Sequence, residues 1–255
     1  MTTCAQTFDG QTVLVTGGGT GIGQAVALAF ARRGATVVVT GRRAGPLTET
    51  VGQIEALGGK ASAITANVTR SDQVAALLDA VADRHGHLGI AVNNAGMAVP
   101  GLVADLDEAA WQEVVATNLT GLWLSMKHEI THLRRNGGGV IVNVASSIGA
   151  HTTIPGMGAY AATKAAVSAL TRTAAREYIA EGIRINAVSP GPADTPMSRR
   201  PGETDAERDQ RLATALPIGR VGTLDEIAAA ITWLASPESS FAVGHDLVLD
   251  GGATA

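Results

Sequence analysis

Tyr160 and Lys164 lie four residues apart in an Ala-rich segment that predicts a helix, so their side chains share one helix face. A tyrosine with its ordinary pKa of about 10 is a poor base at neutral pH, but a neighbouring ammonium group favours the phenolate. Lowering the pKa by about three units requires roughly 4 kcal/mol of differential stabilisation. An isolated pair of this kind is more often a surface contact, so other motifs must decide its meaning.

A glycine-rich segment, TGGGTGIG, occupies residues 16–23 between a predicted strand and a predicted helix. Glycines at such a turn let the backbone approach a pyrophosphate, which the helix N-terminus binds. The spacing Gly17, Gly21, Gly23 departs from G-x-G-x-x-G, and a tight strand–helix junction would also use glycines. The position between strand and helix favours a dinucleotide site.

The end of the second predicted strand indicates which dinucleotide binds. NAD-binding folds usually carry Asp or Glu there to bind the ribose hydroxyls. This chain has Thr40-Gly41-Arg42-Arg43, and the first acidic residue after the glycine turn is Glu49. An arginine suits a 2′-phosphate, because its guanidinium forms paired charge-assisted hydrogen bonds. Arg42 therefore favours NADP(H); two solvated surface arginines are the alternative interpretation, and NAD is the alternative cofactor.

Strands and helices alternate along the whole chain. Short apolar, β-branched runs predict strands at Thr12–Thr16, Thr36–Thr40, Ala61–Ala66, Gly89–Asn93, Gly139–Val144, Ile183–Val188 and Asp246–Leu249. Helical spacing is found at Gly23–Arg33, Leu47–Leu57, Ser71–Arg84, Glu108–Arg134, Tyr160–Ala180 and Asp225–Leu234. This alternation predicts a Rossmann-like, doubly wound α/β fold with a parallel seven-stranded sheet, in a single domain over residues 1–255.

The least core-like stretch follows the sixth predicted strand. Pro190–Leu216 contains four of the nine prolines and many charged residues. A stretch of this kind is either a mobile surface loop or a lid over a site. Because it follows a sheet strand, we expect residues 190–217 to form a substrate lid.

Composition excludes several classes of protein. The 255 residues are 45% hydrophobic and 16% charged, which is enough apolar material for a large core. A formal charge of −4 argues against a nucleic-acid partner. Cys4 is the single cysteine, so no intrachain disulfide or Cys-based zinc site is expected, which fits a reducing, cytoplasmic location. No apolar run predicts a membrane span, and no basic residue precedes Arg32, so no signal peptide is expected.

An ordered set of motifs resembles the short-chain dehydrogenase/reductase family, in its single-domain branch, over essentially the whole length. The motifs are TGGGTGIG at 16–23, NNAG at 93–96, Asn118 in TNLTG, Ser146-Ser147, YAATK at 160–164, RINAVSPGP at 184–192 and DGG at 250–252. Each motif is weak alone, but the ordered set is specific.

The resemblance implies direct hydride transfer between a nicotinamide cofactor and a ketone or secondary alcohol, with Tyr160 as the acid and base. It implies that Ser147, thirteen residues before the tyrosine, hydrogen-bonds the substrate oxygen, while Ser146 is structural. Lys164 is implied to lower the tyrosine pKa and to bind the nicotinamide ribose. Asn118 is implied to hold a water that links Lys164 to solvent.

The resemblance also implies a set of positions along the cofactor. Besides the glycines of the turn, Tyr160 and Lys164, they are Thr20, Ile22, Asn67, Val68, Asn93, Ala95, Gly96, Pro190, Gly191 and Thr195. Thr20 stands where NADP-preferring members often carry a basic residue, which weakens the NADP preference without reversing it.

Two histidine features need separate interpretation. HEITH at 128–132 matches H-E-x-x-H, the helix motif of zinc proteases. A zinc site needs a third protein ligand, and neither Glu177 nor His151 has the expected spacing, so we predict no metal site. His151, four residues after Ser147, is predicted to line the substrate pocket, with a solvated loop histidine as the alternative.

The leading hypothesis is an NADP(H)-dependent ketone reductase or alcohol dehydrogenase that acts on a small molecule. The enzymatic alternatives are an NAD(H)-dependent dehydrogenase of a sugar or cyclic alcohol and a 3-oxoacyl-thioester reductase. The non-enzymatic alternative is a catalytically idle, cofactor-sensing binding protein. Apolar pocket edges at Met97–Val99 and Ile154–Met157 suggest a neutral or partly apolar substrate. The resemblance also implies a homodimer or homotetramer.

Overall fold

A seven-stranded sheet lies at the centre of the molecule, with every neighbouring pair parallel and the order β3-β2-β1-β4-β5-β6-β7. The structure is a computed structural model that describes residues 8–199 and 202–255. Its strands are Thr12–Thr16 (β1), Thr36–Gly41 (β2), Lys60–Thr65 (β3), Ile90–Asn93 (β4), Gly139–Val144 (β5), Ile183–Pro190 (β6) and Asp246–Leu249 (β7). The predicted Rossmann-like fold is confirmed, and the strand order reverses between β1 and β4, where such folds bind ligands.

Helices cover both faces of this sheet. They are Gly21–Ala31 (α1), Ala44–Ala56 (α2), Ser71–His85 (α3), Glu108–Val115 (α4), Gly121–Arg135 (α5), the short kinked turn Ser147–Ala150 (α6), Gly158–Tyr178 (α7), Asp205–Ala215 (α8) and Leu224–Ala235 (α9). Within residues 8–199 and 202–255, every helix is too short or too polar to span a bilayer.

Two apolar cores result from the alternation of side chains along each strand. In β1, Val13 and Val15 join the core that includes Phe30 of α1 and Ile231 of α9. Leu14, between them, joins the opposite core with residues of α3, α5 and α7, including Leu133. All five residues of β1 are buried, as expected for a central parallel strand.

One predicted helix is interrupted. The periodicity of 108–134 predicts a continuous helix, but residues Ala116–Thr120 form a π-helical turn between α4 and α5. Asn118 lies in this turn and is fully buried. Such π-bulges are frequent at functional sites, and periodicity alone gives no signal for them.

The segment after β5 also departs from regular structure. Ser147–Ala150 is assigned to one helical turn, but Ile148 and Gly149 have non-helical backbone angles, and φ of Gly149 is 141°. A Cβ on Gly149 would lie 2.7 Å from the backbone nitrogen of Ala165 in α7, so the turn packs directly on that helix. We call residues 146–152 the serine turn.

Part of the predicted lid is helical. Helix α8 begins after Thr204, whose side chain and that of Glu207 form a capping box. Arg208 of α8 donates a 2.7 Å hydrogen bond to Asp194, next to Thr195. Residues 200 and 201 of this segment, like Cys4, lie outside the described residues.

Candidate active site

Tyr160 and Lys164 lie on the face of α7 that packs against the sheet. Lys164 Nζ donates a 2.7 Å hydrogen bond to the carbonyl oxygen of Val144, at the end of β5. The same nitrogen lies 5.7 Å from the centroid of the Tyr160 ring. The helix therefore presents both side chains on one face, as their four-residue spacing predicts, and this face meets the carboxyl edge of the sheet.

Burial shifts the pKa values of both groups toward their neutral forms. It raises the pKa of Tyr160, while a hydrogen bond with the Ser146 side chain acts in the opposite direction. It lowers the pKa of Lys164 to about 8. In the protein alone, Tyr160 is therefore a neutral hydroxyl that can donate a proton. An added positive charge beside it would favour the phenolate.

Of the two serines, Ser146 is the one whose side chain lowers the pKa of Tyr160 through a hydrogen bond, and the predicted role of Ser147 stays a prediction. The Ser146 hydroxyl also accepts a 3.1 Å hydrogen bond from the backbone nitrogen of Ile148. Both serines are buried, with 6% and 3% exposure. The position of Ser147, thirteen residues before Tyr160, is meaningful only if the loop between the serine and the tyrosine has a fixed length. Ser146 is the second residue after Val144, the last residue of β5.

Asn118 is held between two elements of the site. Its Oδ1 accepts from the Met97 nitrogen at 2.9 Å, and its Nδ2 donates to the Met97 oxygen at 2.8 Å and to Thr163 Oγ1 at 3.2 Å. A Cβ on Gly96 would lie 3.4 Å from Asn118 Oδ1 and 3.6 Å from Lys164 Nζ. Gly96, Asn118 and Lys164 thus converge, and the water-holding role of Asn118 stays a prediction.

The glycine turn is closely packed and leaves a helix N-terminus open. Gly17 and Gly21 have φ of 65° and 56°, which favour glycine. A Cβ on Gly23 would lie 2.2 Å from the Gly17 carbonyl oxygen. Thr20 caps α1 without a side-chain hydrogen bond, and the first turn of α1 has no acidic residue. These features fit a dinucleotide pyrophosphate, because the first backbone N–H groups of α1 lack helical partners.

Asn94, which the sequence analysis did not single out, joins this turn to the NNAG loop. Its Nδ2 donates to the backbone oxygens of Thr16 and Gly17 at 3.1 and 3.2 Å. The Thr16 hydroxyl accepts from the backbone nitrogens of Asn94 and Ala95 at 3.0 and 3.1 Å. The repeated Asn in NNAG was the available signal, but the sequence does not tell which of the two faces the turn.

Asn93 points its side chain into a buried polar cluster instead. Its Nδ2 donates to Glu129 Oε2 at 2.8 Å and to Asn143 Oδ1 at 3.1 Å. Asn143 Nδ2 in turn donates to Thr171 Oγ1 at 2.9 Å. The Asn93 side chain is therefore occupied in this cluster, so only the backbone of Asn93 is available for the predicted position beside the cofactor.

The remaining cofactor positions lie around the same sheet edge. A Cβ on Gly21 would lie 3.7 Å from Thr195 Cγ2, so the loop after β6 reaches the glycine turn. Gly191, directly after Pro190, donates its N–H to the Leu249 oxygen at 2.8 Å. Ile22 is partly buried and packs against the core of α1 and α9.

Three further positions lie across the edge, toward β2 and β3. Asn67 Oδ1 accepts from the Thr69 nitrogen at 3.1 Å and from its hydroxyl at 3.0 Å, and Val68 is buried. Arg42 is exposed directly after β2. This is the side on which a bound dinucleotide would place its adenosine end.

His151 has a protein partner that its sequence position did not reveal. Its Nε2 lies 3.0 Å from Asp246 Oδ2, at the start of β7. The backbone nitrogen of the next residue, Thr152, donates to the Ser147 oxygen at 2.9 Å. This hydrogen bond closes the serine turn, to which His151 belongs. The predicted contact of His151 with substrate stays a prediction.

The residues of the HEITH motif point in different directions. Glu129 is fully buried and bonded to Asn93, whereas His128 Nε2 contacts Ser71 Oγ at 3.0 Å. His132 Nε2 accepts from the Leu88 backbone nitrogen at 3.2 Å. Across the described part of the chain, no three His, Cys, Asp or Glu side chains are grouped as metal ligands.

Comparison with known proteins decides the family. A family model described as enoyl-(acyl carrier protein) reductase matches residues 17–254. The chain is 42% identical over 252 residues to cis-4-hydroxycyclohexanecarboxylate dehydrogenase of Sinomonas cyclohexanicum, covering 98% of this chain and 99% of that protein. It belongs to the short-chain dehydrogenase/reductase family.

Other members of the short-chain dehydrogenase/reductase family match over nearly their full lengths. The 3-oxoacyl-[acyl-carrier-protein] reductase FabG of Thermotoga maritima is 36% identical, over 96% of this chain and 98% of that protein. The crystal structure of a short-chain type dehydrogenase/reductase from Mycobacterium marinum has a TM-score of 0.92 and 36% identity, covering 98% of this chain and 97% of that one. The protein is therefore an oxidoreductase of alcohol and ketone groups that uses a nicotinamide cofactor.

Proposed function

We propose that the protein is an NADP(H)-dependent oxidoreductase that interconverts a secondary alcohol and a ketone, with Tyr160 as the acid and base. The observation that carries this proposal is the convergence of Tyr160, Lys164 and Ser146 at the sheet edge that also holds the glycine turn. This intact set argues against the idle, cofactor-sensing alternative.

Each side chain of the set has a distinct task in the proposed reaction. The nicotinamide cofactor supplies or accepts the hydride when it is bound. In reduction, the neutral Tyr160 hydroxyl donates its proton to the substrate oxygen. Lys164, buried beside the ring, binds the cofactor ribose and stabilises the phenolate that remains. A serine hydroxyl donates a hydrogen bond to the oxygen where negative charge develops.

We assign that hydrogen bond to Ser146, because its side chain is bonded to Tyr160. Ser147 is the competing assignment, since it is also buried and adjacent. Ser146→Ala and Ser147→Ala form a matched pair that separates the two. The variant that loses more kcat for ketone reduction, at unchanged affinity for NADPH, identifies the serine that contacts the substrate.

The NADP preference rests on Arg42. Its guanidinium is exposed directly after β2, and neither Gly41 nor Thr40 brings a carboxylate to that position. A 2′-phosphate there would meet a cation and no like charge, whereas NAD would lose the diol contact that Asp or Glu provides. NAD(H) is the competing cofactor.

The substrate proposed is a neutral or partly apolar ketone, and a cyclic one is favoured by the Sinomonas relative, whose name specifies a cyclohexane ring. The segments Met97–Val99 and Ile154–Met157, which the sequence predicts as pocket edges, are mostly apolar and support this proposal. We further propose that residues 190–217 act as a lid over the bound substrate. A 3-oxoacyl thioester is the second candidate, because the Thermotoga relative is named for that activity.

Self-association is also proposed. All three tryptophans, Trp111, Trp123 and Trp233, are more than 40% exposed. A homodimer or homotetramer would cover them. Sedimentation equilibrium decides the proposal, and a monomer at micromolar concentration would overturn it.

The experiment that tests the proposed function is a panel assay with both cofactors. Cyclohexanone, a linear ketone and acetoacetyl thioester are reduced with NADPH and with NADH, and cyclohexanol is oxidised with NADP and NAD. The proposal expects the highest kcat/KM for a cyclic ketone with NADPH. Cofactor binding without turnover of any carbonyl would favour the idle binding protein.

A further inference from the structure

Asp246, the first residue of β7, carries a buried carboxylate that accepts hydrogen bonds from three different elements. Ser189 of β6 donates to Oδ1 at 2.6 Å, and Ser168 of α7 donates to Oδ2 at 2.5 Å. His151 Nε2 lies 3.0 Å from the same Oδ2. The Asp246 side chain is 7% exposed, and that of His151 is 26% exposed. One carboxylate therefore joins β6, β7, α7 and the serine turn.

The direction of the histidine hydrogen bond follows from the chemistry of the carboxylate. An ionised carboxylate accepts hydrogen bonds and donates none. The His151 Nε2 must therefore carry a hydrogen and donate it to Asp246 in either its neutral or its cationic form. Charge-assisted hydrogen bonds of this kind are about twice as strong as neutral ones.

His151 is coupled to the serines through the backbone of the turn. Gly149 donates its N–H to the Thr152 oxygen at 2.8 Å, and Thr152 donates to the Ser147 oxygen at 2.9 Å. Because these bonds close the turn on both sides of His151, a displacement of His151 also displaces the segment that carries Ser146 and Ser147.

The other two partners of Asp246 lie beside further parts of the site. Ser168 is one helical turn after Lys164 on α7, and Ser189 directly precedes Pro190 at the end of β6. The carboxylate is thus fixed by elements that themselves hold site residues. The Asp246 carboxylate therefore has a fixed position, and His151 links the serine turn to it.

We propose that Asp246 and His151 form a positioning pair for the reaction: the carboxylate holds the serine turn against α7, so that the serine hydroxyl faces Tyr160. Both are positioning residues, since they act through the turn and not on the reacting atoms. The proposal rests on the proposed function only for its kinetic readout. The competing role for His151 is direct contact with substrate.

Three variants and a control test this pair. His151→Ala removes the donor, His151→Gln keeps a side-chain N–H that can reach the carboxylate, and Asp246→Asn replaces one acceptor oxygen with a donor. His85→Ala is the control, because His85 is also partly exposed and contacts Ser62 Oγ at 2.9 Å. Ser62 lies in β3, at the opposite edge of the sheet from β7.

The kinetic readout is the split between kcat and KM. His151→Ala and Asp246→Asn are expected to lower kcat for ketone reduction about ten- to a hundredfold, the scale of a misplaced reactive group, with KM for NADPH unchanged. His151→Gln recovers most of the loss, and His85→Ala retains the wild-type values. The double variant His151→Ala/Asp246→Asn loses no more than Asp246→Asn alone, because Asp246→Asn already disrupts the interaction that His151→Ala removes.

Hydrogen exchange of residues 146–152 gives a readout that needs no substrate. Exchange in this segment rises in His151→Ala and Asp246→Asn, and stays at the wild-type level in His151→Gln and His85→Ala. If the wild-type enzyme reduces no carbonyl, the proposed function fails while this measurement still decides the positioning pair.

Two results would overturn the proposal. One is unchanged exchange and unchanged kcat in His151→Ala. The other is a loss in His151→Ala that varies with the ketone while Asp246→Asn behaves as wild type, which would assign His151 to direct substrate contact.

Discussion

The Asn93 amide donates a 2.8 Å hydrogen bond to the Glu129 carboxylate, and both side chains are sealed from solvent between the sheet and α5. Burial raises the pKa of Glu129 to about 7, although the Asn93 amide acts in the opposite direction. Asn93 Oδ1 and Glu129 Oε1 are buried and have no hydrogen-bond partner among residues 8–199 and 202–255. This cluster therefore favours a protonated Glu129.

Glu129→Gln should remove a pH dependence of stability. The pKa of Glu129 is raised from 4.5 to about 7, so the folded state binds more protons than the unfolded state between these values. The stabilisation is fully present below the unfolded pKa and is lost as the pH rises through about 7. Relative to wild type, the variant should gain up to ~3 kcal/mol between pH 5 and pH 8.

Urea unfolding of both proteins across this pH range measures the gain. Glu113→Gln, at an exposed position of α4, is the control and should parallel wild type. A Glu129→Gln curve parallel to wild type would show that Glu129 ionises in the folded protein as it does in the unfolded one.

Gly23→Ala should weaken cofactor binding without general loss of structure. The added Cβ would lie 2.2 Å from the Gly17 carbonyl, so the glycine turn must open. We expect the Kd for NADPH to rise at least about tenfold, equivalent to about 1.4 kcal/mol. In the control Gly52→Ala, in α2, the new methyl meets no atom of the described part of the chain within 4 Å, and it should stabilise the helix by about 1 kcal/mol. Equal NADPH affinity in both variants would show that the glycine turn is not part of the cofactor site.

Arg42→Ala should lower the preference for NADP. A charge-assisted hydrogen bond contributes about 1.5–3 kcal/mol, so the ratio of kcat/KM for NADPH to that for NADH should fall roughly ten- to a hundredfold. Gly41→Asp combined with Arg42→Ala should favour NAD, because the new carboxylate binds the ribose diol and repels the phosphate. Arg43→Ala is the neighbouring control. If the wild-type enzyme prefers NADH, Arg42 is a solvated surface arginine and does not bind the 2′-phosphate.

His132→Ala should affect stability but not turnover. The imidazole accepts the Leu88 N–H at 3.2 Å, and its loss leaves that donor without its partner, at a cost of about 1–3 kcal/mol. EDTA should also leave activity unchanged, because the HEITH side chains contact different partners and are not placed to bind one metal ion together. Stoichiometric zinc in the purified protein, with activity lost on its removal, would contradict this interpretation.

The fold was predictable because its determinants are local. The β-branched runs and the Ala-rich periodic segments correspond to the observed strands and to most of the helices, and their alternation dictates a parallel sheet. The π-turn at Ala116–Thr120 and helix α8 were not anticipated. The first keeps the periodicity of a helix, and the second lies in a polar, proline-bearing segment.

The candidate site was predictable in its residue types and less so in its contacts. The spacing of Tyr160 and Lys164 fixes a shared helix face. The choice between Ser146 and Ser147 depends on the path of a kinked turn, and the Asp246 partner of His151 comes from a strand 95 residues away. Contacts of this kind are set by packing between distant segments, which one sequence does not specify.

Tyr160 is the proposed acid and base of ketone reduction, and Tyr160→Phe tests this role most directly. The variant removes one hydroxyl from a side chain that is 9% exposed, so the ring and its packing remain. Single-turnover reduction of the best ketone, followed by loss of NADPH absorbance, should slow by about 10²–10⁴-fold. The Kd for NADPH, measured by fluorescence titration, should stay at the wild-type value. A rate within a few-fold of wild type, at full NADPH affinity, would contradict the assignment.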